Sequence, residues 1–446
     1  MPFIPNTDED RKKMLQEIGV KNFDELISDI PQELLLKNEL NLPPAASEME
    51  IAAELSEKSK RNLGCDDQIL FVGGGAYDHY IPAAVDHIIS RSEFYTAYTP
   101  YQPEVSQGTL QAIYEFQSMI AELTGMDVSN ASIYDGGSAL AESVLMSISE
   151  TRKKKILLSK TVNPFYRDVI STYLRGQDVD MVLIDEKDGV TDLNSLSSLI
   201  DDRSAGVIVQ HPNFFGCFEN VHEIEAIAHE HGALYLTSND PLSLAILEPP
   251  GAYGADIVTG EGQCFGNALN YGGPYLGLLA TRNKYIRRMP GRVAGITDDK
   301  NGERGFVLTF QTREQHIRRD KATSNICTNQ ALNALAATVY LALMGRQGLE
   351  KVALTCLEKS HYLADRLNQL DGYKLKFDQP FFKEFAIQTP EDPDVIIRKL
   401  LSKNIHAGVN LSKFDYNHEN LLLIAVTEKR TKEQLDLFVD NLKSFS

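Results

Sequence analysis

Residues 206–240 read GVIVQHPNFFGCFENVHEIEAIAHEHGALYLTSND. Gly206–Gln210 is a short apolar run, Val221–His231 carries apolar residues at helical spacing, and Leu234–Thr237 is a second short run that ends on polar Ser238-Asn239-Asp240. Runs of this length on either side of an amphipathic helix read as strand, helix, strand. The same alternation extends outward in both directions. Lys155–Leu158, Val179–Ile184, Asp256–Thr259 and Tyr275–Ala280 are further strand candidates, with helix-length segments at Pro164–Leu174 and Leu193–Ile200. Such alternation implies an α/β fold with a mostly parallel sheet and helices on its faces. Ligands of such sheets sit beyond the carboxyl ends of the strands.

At 446 residues the chain is long for one core, and its pattern changes twice. Residues 1–64 read as a helical arm. Thr7-Asp8-Glu9-Asp10 starts one helix, Asn22 or Asp24 a second and Ser47 with Glu50 a third, but the apolar residues between are too few for a separate core. Residues 65–328 form the large α/β domain. Residues 329–446 read as a linking helix and a small α+β domain: helices at Gln330–Met344 and Leu349–Leu370, strands at Lys374–Phe377, Glu384–Gln388, His406–Val409 and Leu421–Val426, and helices at Asp394–Lys403 and Lys432–Leu442.

A net charge of −18 argues against general nucleic-acid binding. The five cysteines are widely spaced and never in a CxxC pair, which fits a reducing compartment and neither a disulfide framework nor a zinc site. The opening MPFIPNTDEDRKK is not a secretory signal, and the apolar stretch Ala334–Met344 is too short to cross a bilayer. A cytoplasmic protein is expected.

Two glycine clusters invite an anion. Phe71–Ala76 reads FVGGGA, but Asp78 stands where a dinucleotide fingerprint needs its third glycine and no G-K-[ST] follows, so a tight turn is the plainer reading. The second, Tyr134–Glu142, reads YDGGSALAE. Gly136, Gly137 and Ser138 open a helix whose free N–H groups suit either a phosphate or ordinary capping.

Long motifs then carry a resemblance. GAYDHYIP (75–82), FYTAYTPYQPEVSQG (94–108), YDGGSALAE (134–142), NYGGP (270–274), MPGRVAGIT (289–297) and QTREQHIRRDKATSNICT (311–328) succeed one another as in the glycine cleavage P-protein family. The chain resembles the N-terminal half of long P-proteins, which in many bacteria is a separate subunit 1. The resemblance implies the aspartate-aminotransferase-like fold, fold type I of pyridoxal-phosphate enzymes. It places the cofactor phosphate at the helix start Gly136–Ser138 and Asp240 against the pyridine nitrogen. The Schiff-base lysine should fall within Thr259–Pro274, TGEGQCFGNALNYGGP, which contains none; Cys264 stands at its position and Gln263 at that of the preceding histidine. Neither forms an imine. Lys160, the main substitute, reads as a surface or salt-bridge residue, and Cys264 as a small buried one.

The same resemblance implies a heterotetramer of two subunit types. Pyridoxal phosphate is held by the partner, subunit 2, and the aminomethyl group of decarboxylated glycine passes to the lipoyl arm of the H-protein. Tyr95, Tyr98, Thr99, Tyr101 and Gln102, stiffened by Pro100 and Pro103, would line the lipoyl channel, reach into the partner's site or form a buried tyrosine cluster. Between Arg282 and Lys321 eleven lysines and arginines face five carboxylates, a basic rim for an acidic carrier or a salt-bridged interface. Within it Arg313 is a candidate active-site residue. His316 would move a proton or hold structure, and Thr323, Ser324 and Asn325 would bond the partner's cofactor phosphate or cap a helix. The competing readings are a scaffold or regulatory chain without catalytic contribution, and a self-sufficient enzyme with an unrecognised lysine.

Overall fold

A computed structural model describes residues 5–38, 40–416 and 418–445. The chain divides into two units, Met1–Leu63 and Gly64–Ser446. In the first, helices α1 (Asp8–Ile18) and α2 (Glu48–Ser59) both begin with reciprocal capping boxes, Thr7 with Asp10 and Ser47 with Glu50. Neither helix buries a residue; Met14, Ile18, Ile51 and Leu55 all stay exposed.

The second unit is built on a seven-stranded sheet. In chain order its strands are β1 (Val128–Ser129), β2 (Lys155–Ser159), β3 (Asp180–Ile184), β4 (Ser204–His211), β5 (Leu234–Asn239), β6 (Ile257–Glu261) and β7 (Gly277–Thr281). Across the sheet the order is β1-β7-β6-β5-β4-β2-β3, with β7 antiparallel to both neighbours and the remaining pairs parallel. The mostly parallel α/β sheet expected from the alternation is confirmed. Alternate residues point to opposite faces, and both faces are covered. Leu157, Val207, Val209 and Tyr235 pack under helices α6 (Val221–Glu230) and α7 (Ala331–Leu367). Ile156, Leu158, Ile208 and Leu236 pack on α4 (Gly136–Thr151), where Ala139, Leu140 and Val144 are fully buried. This explains the continuous apolar runs of the strands.

Helix α3 (Gln107–Thr124) lies against α7, and α5 (Pro164–Leu174) against α4. After β7 the chain forms an antiparallel hairpin, β8 (Val293–Asp298) and β9 (Arg304–Thr309), where the sequence suggests only a basic motif. The C-terminal block carries β10 (Lys374–Leu375), β11 (Glu384–Gln388), β12 (Val409–Asn410) and β13 (Leu421–Ala425), ordered β10-β11-β13-β12. Helices α8 (Pro393–Leu401) and α9 (Lys432–Leu442) help enclose a separate apolar core around Phe385, Ile396, Ile424 and Phe438. Among the described residues no helix is long and apolar enough to cross a membrane.

Candidate functional site

The carboxyl ends of β5 and β6 open beside the N-terminus of α4, so Asp240, Glu261 and Gly136 converge there. Asp135 caps α4 by accepting from the Ser138 amide at 2.7 Å. The Gly136 amide donates to Glu261 Oε2 at 2.8 Å, while Glu261 Oε1 accepts from the amides of Leu276 (2.9 Å) and Gln263 (3.1 Å). Burial raises the pKa of Glu261 to about 7, against the pull of those amides. A Cβ on Gly136 would lie 2.8 Å from the Tyr166 hydroxyl, so glycine is needed for this close approach.

Sequence reasoning missed the residue at the centre. Lys383, from the residue before β11, is 1% exposed and reaches back across the cleft. Its Nζ lies 2.7 Å from Asp240 Oδ2, 3.1 Å from His79 Nε2 and 3.6 Å from the centre of the Tyr77 ring. Burial is the largest influence and opposes its charge, but Asp240 together with the nearby Cys264 and Cys356 outweighs it and holds the lysine pKa above its ordinary value. Glu384 beside it accepts from the Tyr77 hydroxyl at 2.6 Å and the Gly74 amide at 2.7 Å, and burial raises its pKa to about 7. The only hint in the sequence was a charged pair inside the apolar run Phe381–Ile387. Lys160, the substitute considered from sequence, sits at the surface 2.6 Å from Asp185.

Gln263 is buried, accepting from the Tyr77 amide at 2.9 Å and donating to the Tyr77 carbonyl at 3.0 Å. Cys264 is buried too, and that burial pushes its thiol pKa far up, so it is no nucleophile. His79, Glu428 and Cys356 cluster within 4.8 Å, but both ring nitrogens of His79 are engaged, by Glu428 at 2.7 Å and by Lys383.

The other candidates lie apart from this pocket. Tyr95, Tyr98, Thr99, Thr328, Asn329 and Leu335 line a cavity of about 190 Å³. Tyr95, Tyr98 and Tyr101 are 58%, 89% and 47% exposed and Gln102 is exposed, so the buried-cluster alternative is overturned: two short turns carry this loop over the surface. Tyr101 packs edge-on against His316, ring centres 5.7 Å apart, and beneath Arg292, which Cys327 and Asn329 anchor. His316 Nδ1 is 3.7 Å from Glu314. Arg313 donates to the Met289 carbonyl, and its Nε and Nη2 are buried without a partner. Thr323 and Ser324 line a small cavity with Arg313 and Glu314; Ser324 also bonds Glu142, whose pKa burial raises to about 7. Asn325 is exposed. None of the three caps α7, which starts at Ala331 after Gln330.

A sheet in this order with one antiparallel strand, and an aspartate just past β5, define the large domain of the fold type I pyridoxal-phosphate enzymes. Lactobacillus brevis glutamate decarboxylase shares that fold with a TM-score of 0.69 over 92% of this chain and 95% of its own, at 13% identity. The crystal structure of a glycine decarboxylase (P-protein) of the glycine cleavage system, in inhibitor-bound form, matches over the whole of both chains, with TM-score 0.90 and 41% identity. The probable glycine dehydrogenase (decarboxylating) subunit 1 of Chloroherpeton thalassium is 56% identical over 443 residues, 99% of each chain. That of Carboxydothermus hydrogenoformans is 53% identical over 442 residues, again 99% of each. A family model of the glycine cleavage system P-protein matches residues 1–442, and the chain belongs to that family.

Pyridoxal phosphate itself does not fit this chain's pocket. Residues 259–274 offer no lysine, Asp240 is already paired with Lys383, and the Gly136 amide is taken by Glu261. What remains between these side chains is about 30 Å³, space for a water or two and not for a pyridine ring.

Proposed function

We propose that this chain is subunit 1 of a two-chain, cytoplasmic P-protein, a decarboxylating glycine dehydrogenase. The partner, subunit 2, brings the Schiff-base lysine and the pyridoxal phosphate, in a heterotetramer with two of each chain. The observation that carries this reading is a pocket already filled by this chain's own side chains, with no lysine in residues 259–274, in a chain whose aromatic and basic loops stay open. Electron withdrawal for the decarboxylation of glycine comes from the partner's cofactor. This chain's residues do the positioning. Tyr95, Tyr98, Thr99, Tyr101 and Gln102 present an aromatic and polar, stiffened wall that orients the lipoyl arm of the H-protein and keeps water out. Arg313, His316, Thr323, Ser324 and Asn325 border the partner's cofactor and its phosphate. Support for a charged docking rim comes from a groove of about 350 Å³ lined by Lys284, Arg287, Arg288, Arg313 and Arg318, with Glu150 as the acidic residue among its lining.

Glycine–bicarbonate exchange tests the assignment. The purified chain is expected to be inactive, and mixing it with subunit 2 is expected to create exchange. Full activity of subunit 2 alone defeats the proposal. In the assembled complex, Arg313→Met or Asn325→Ala should lower turnover; unchanged turnover with intact assembly would leave only a scaffold role.

A further inference from the structure

We propose that Lys383 and Glu261 are a built-in substitute for the cofactor, an ammonium in the place of the ring nitrogen and a carboxylate in the place of the phosphate, which closes this pocket to pyridoxal compounds. The inference concerns this chain's own pocket and holds whichever chain carries the working cofactor. A primary ammonium offers three hydrogens, and Lys383 meets three acceptors: a carboxylate, an imidazole lone pair and an aromatic face. Such a charge, almost wholly out of water, is tolerated only when paired. Asp240 is in turn the carboxylate that this fold aims at a pyridinium N–H, so Lys383 satisfies the group that the ring would have satisfied.

The second half of the substitution is at α4. Free amides at a helix start call for an acceptor, and here the acceptor is an internal carboxyl group. Both oxygens of Glu261 accept from backbone amides, Oε2 from Gly136 and Oε1 from Gln263 and Leu276. Glu384 and Tyr77 fill the space between the two ends and tie in the glycine loop at Gly74. In this chain the ion pair from Asp240, past β5, to Lys383, before β11, joins the sheet to the C-terminal block, so the closed arrangement needs no ligand.

Lys383 is accordingly no concealed Schiff-base lysine. Its amine is held by Asp240 as an ammonium, and an ammonium has no lone pair with which to attack an aldehyde.

The experiment uses the complex with subunit 2, its cofactor first fixed by borohydride reduction so that only this chain's pocket is open to titration. The probe is pyridoxine 5′-phosphate, which has the ring nitrogen and the phosphate but no aldehyde. Calorimetry should find no saturable binding to the wild type. The double variant Lys383→Met, Glu261→Gln should gain binding by about tenfold or more. Saturable wild-type binding that Asp240→Asn abolishes overturns the proposal, as does a variant that binds no better than wild type. Two further measurements stand if that variant fails to assemble. Lys383→Met and Asp240→Asn should each lower the melting midpoint of the chain by roughly 4–6 °C, and together by clearly less than the sum; additive losses refute the pair. On the wild-type complex, pyridoxal phosphate followed by borohydride should leave Lys383 unmodified while Lys160 reacts. A phosphopyridoxyl adduct on Lys383 refutes the substitution outright.

Discussion

His211 closes β4 with its ring between Phe218 and Tyr253, and its Nδ1 accepts the Glu219 amide at 3.1 Å. An imidazole bound this way must stay neutral, and burial lowers its pKa from 6.5 to about 4. The folded pKa lies below the unfolded one, so the unfolded chain takes up the proton first as the pH drops. The contribution is complete above pH 6.5 and is lost as the pH falls toward 4, up to about 3 kcal/mol. The stability difference between wild type and His211→Gln, followed by melting from pH 7 to pH 4, should shrink over that interval. A constant difference contradicts the assignment. Residues of this kind show the limit of reading one position at a time. Asp240 was legible because it comes just after an apolar run, whereas Lys383 lies 143 positions further on and meets it only through the fold.

At the scale of elements, the glycines separate backbone geometry from packing. Helix α7 runs from Ala331 to Leu367 through Gly345, whose φ of 56° and ψ of −175° belong to glycine alone. The sequence placed a stop at this glycine, and the structure turns it into a kink between two helical halves. Nothing lies within 4 Å of a Cβ added there, so Gly345→Ala should cost only the backbone strain, about 1–3 kcal/mol. Gly216, at φ +87°, differs: its Cβ would stand 1.9 Å from the Glu384 carbonyl oxygen, where the C-terminal block meets the large sheet. Gly216→Ala should therefore lose more stability than Gly345→Ala in urea titrations; equal losses would show that the block yields at that contact. The elements missed from sequence share a physical cause. The hairpin of β8 and β9 is only partly buried, with no regular alternation of buried and exposed residues to mark it, and β1 has only two residues.

Charge acts at the scale of the whole molecule. The protein is strongly acidic, yet Lys284, Arg287, Arg288, Arg313 and Arg318 gather around one groove. Few carboxylates are at hand to neutralise it: Arg288 reaches Glu150 at 3.3 Å and Lys284 reaches Asp256 at 3.4 Å. A local field of this kind steers an oppositely charged partner and is screened within about 8–10 Å at ordinary salt. On the proposed function, KM of the assembled enzyme for the H-protein should rise with ionic strength, and Arg287→Gln with Arg318→Gln should raise it several-fold at low salt while flattening the salt dependence. If KM ignores both salt and substitutions, the groove serves the contact between subunits instead.

Local order was written in the chain. Strand runs, helix caps and an absent lysine depend on near neighbours, and a family's long motifs preserve them in order. The sheet, its position in the fold and the inability of residues 259–274 to form an imine were all readable from that. The side chains that fill the pocket were not, because a buried ion pair joins residues from separate blocks, and its stability exists only once water has been excluded from both.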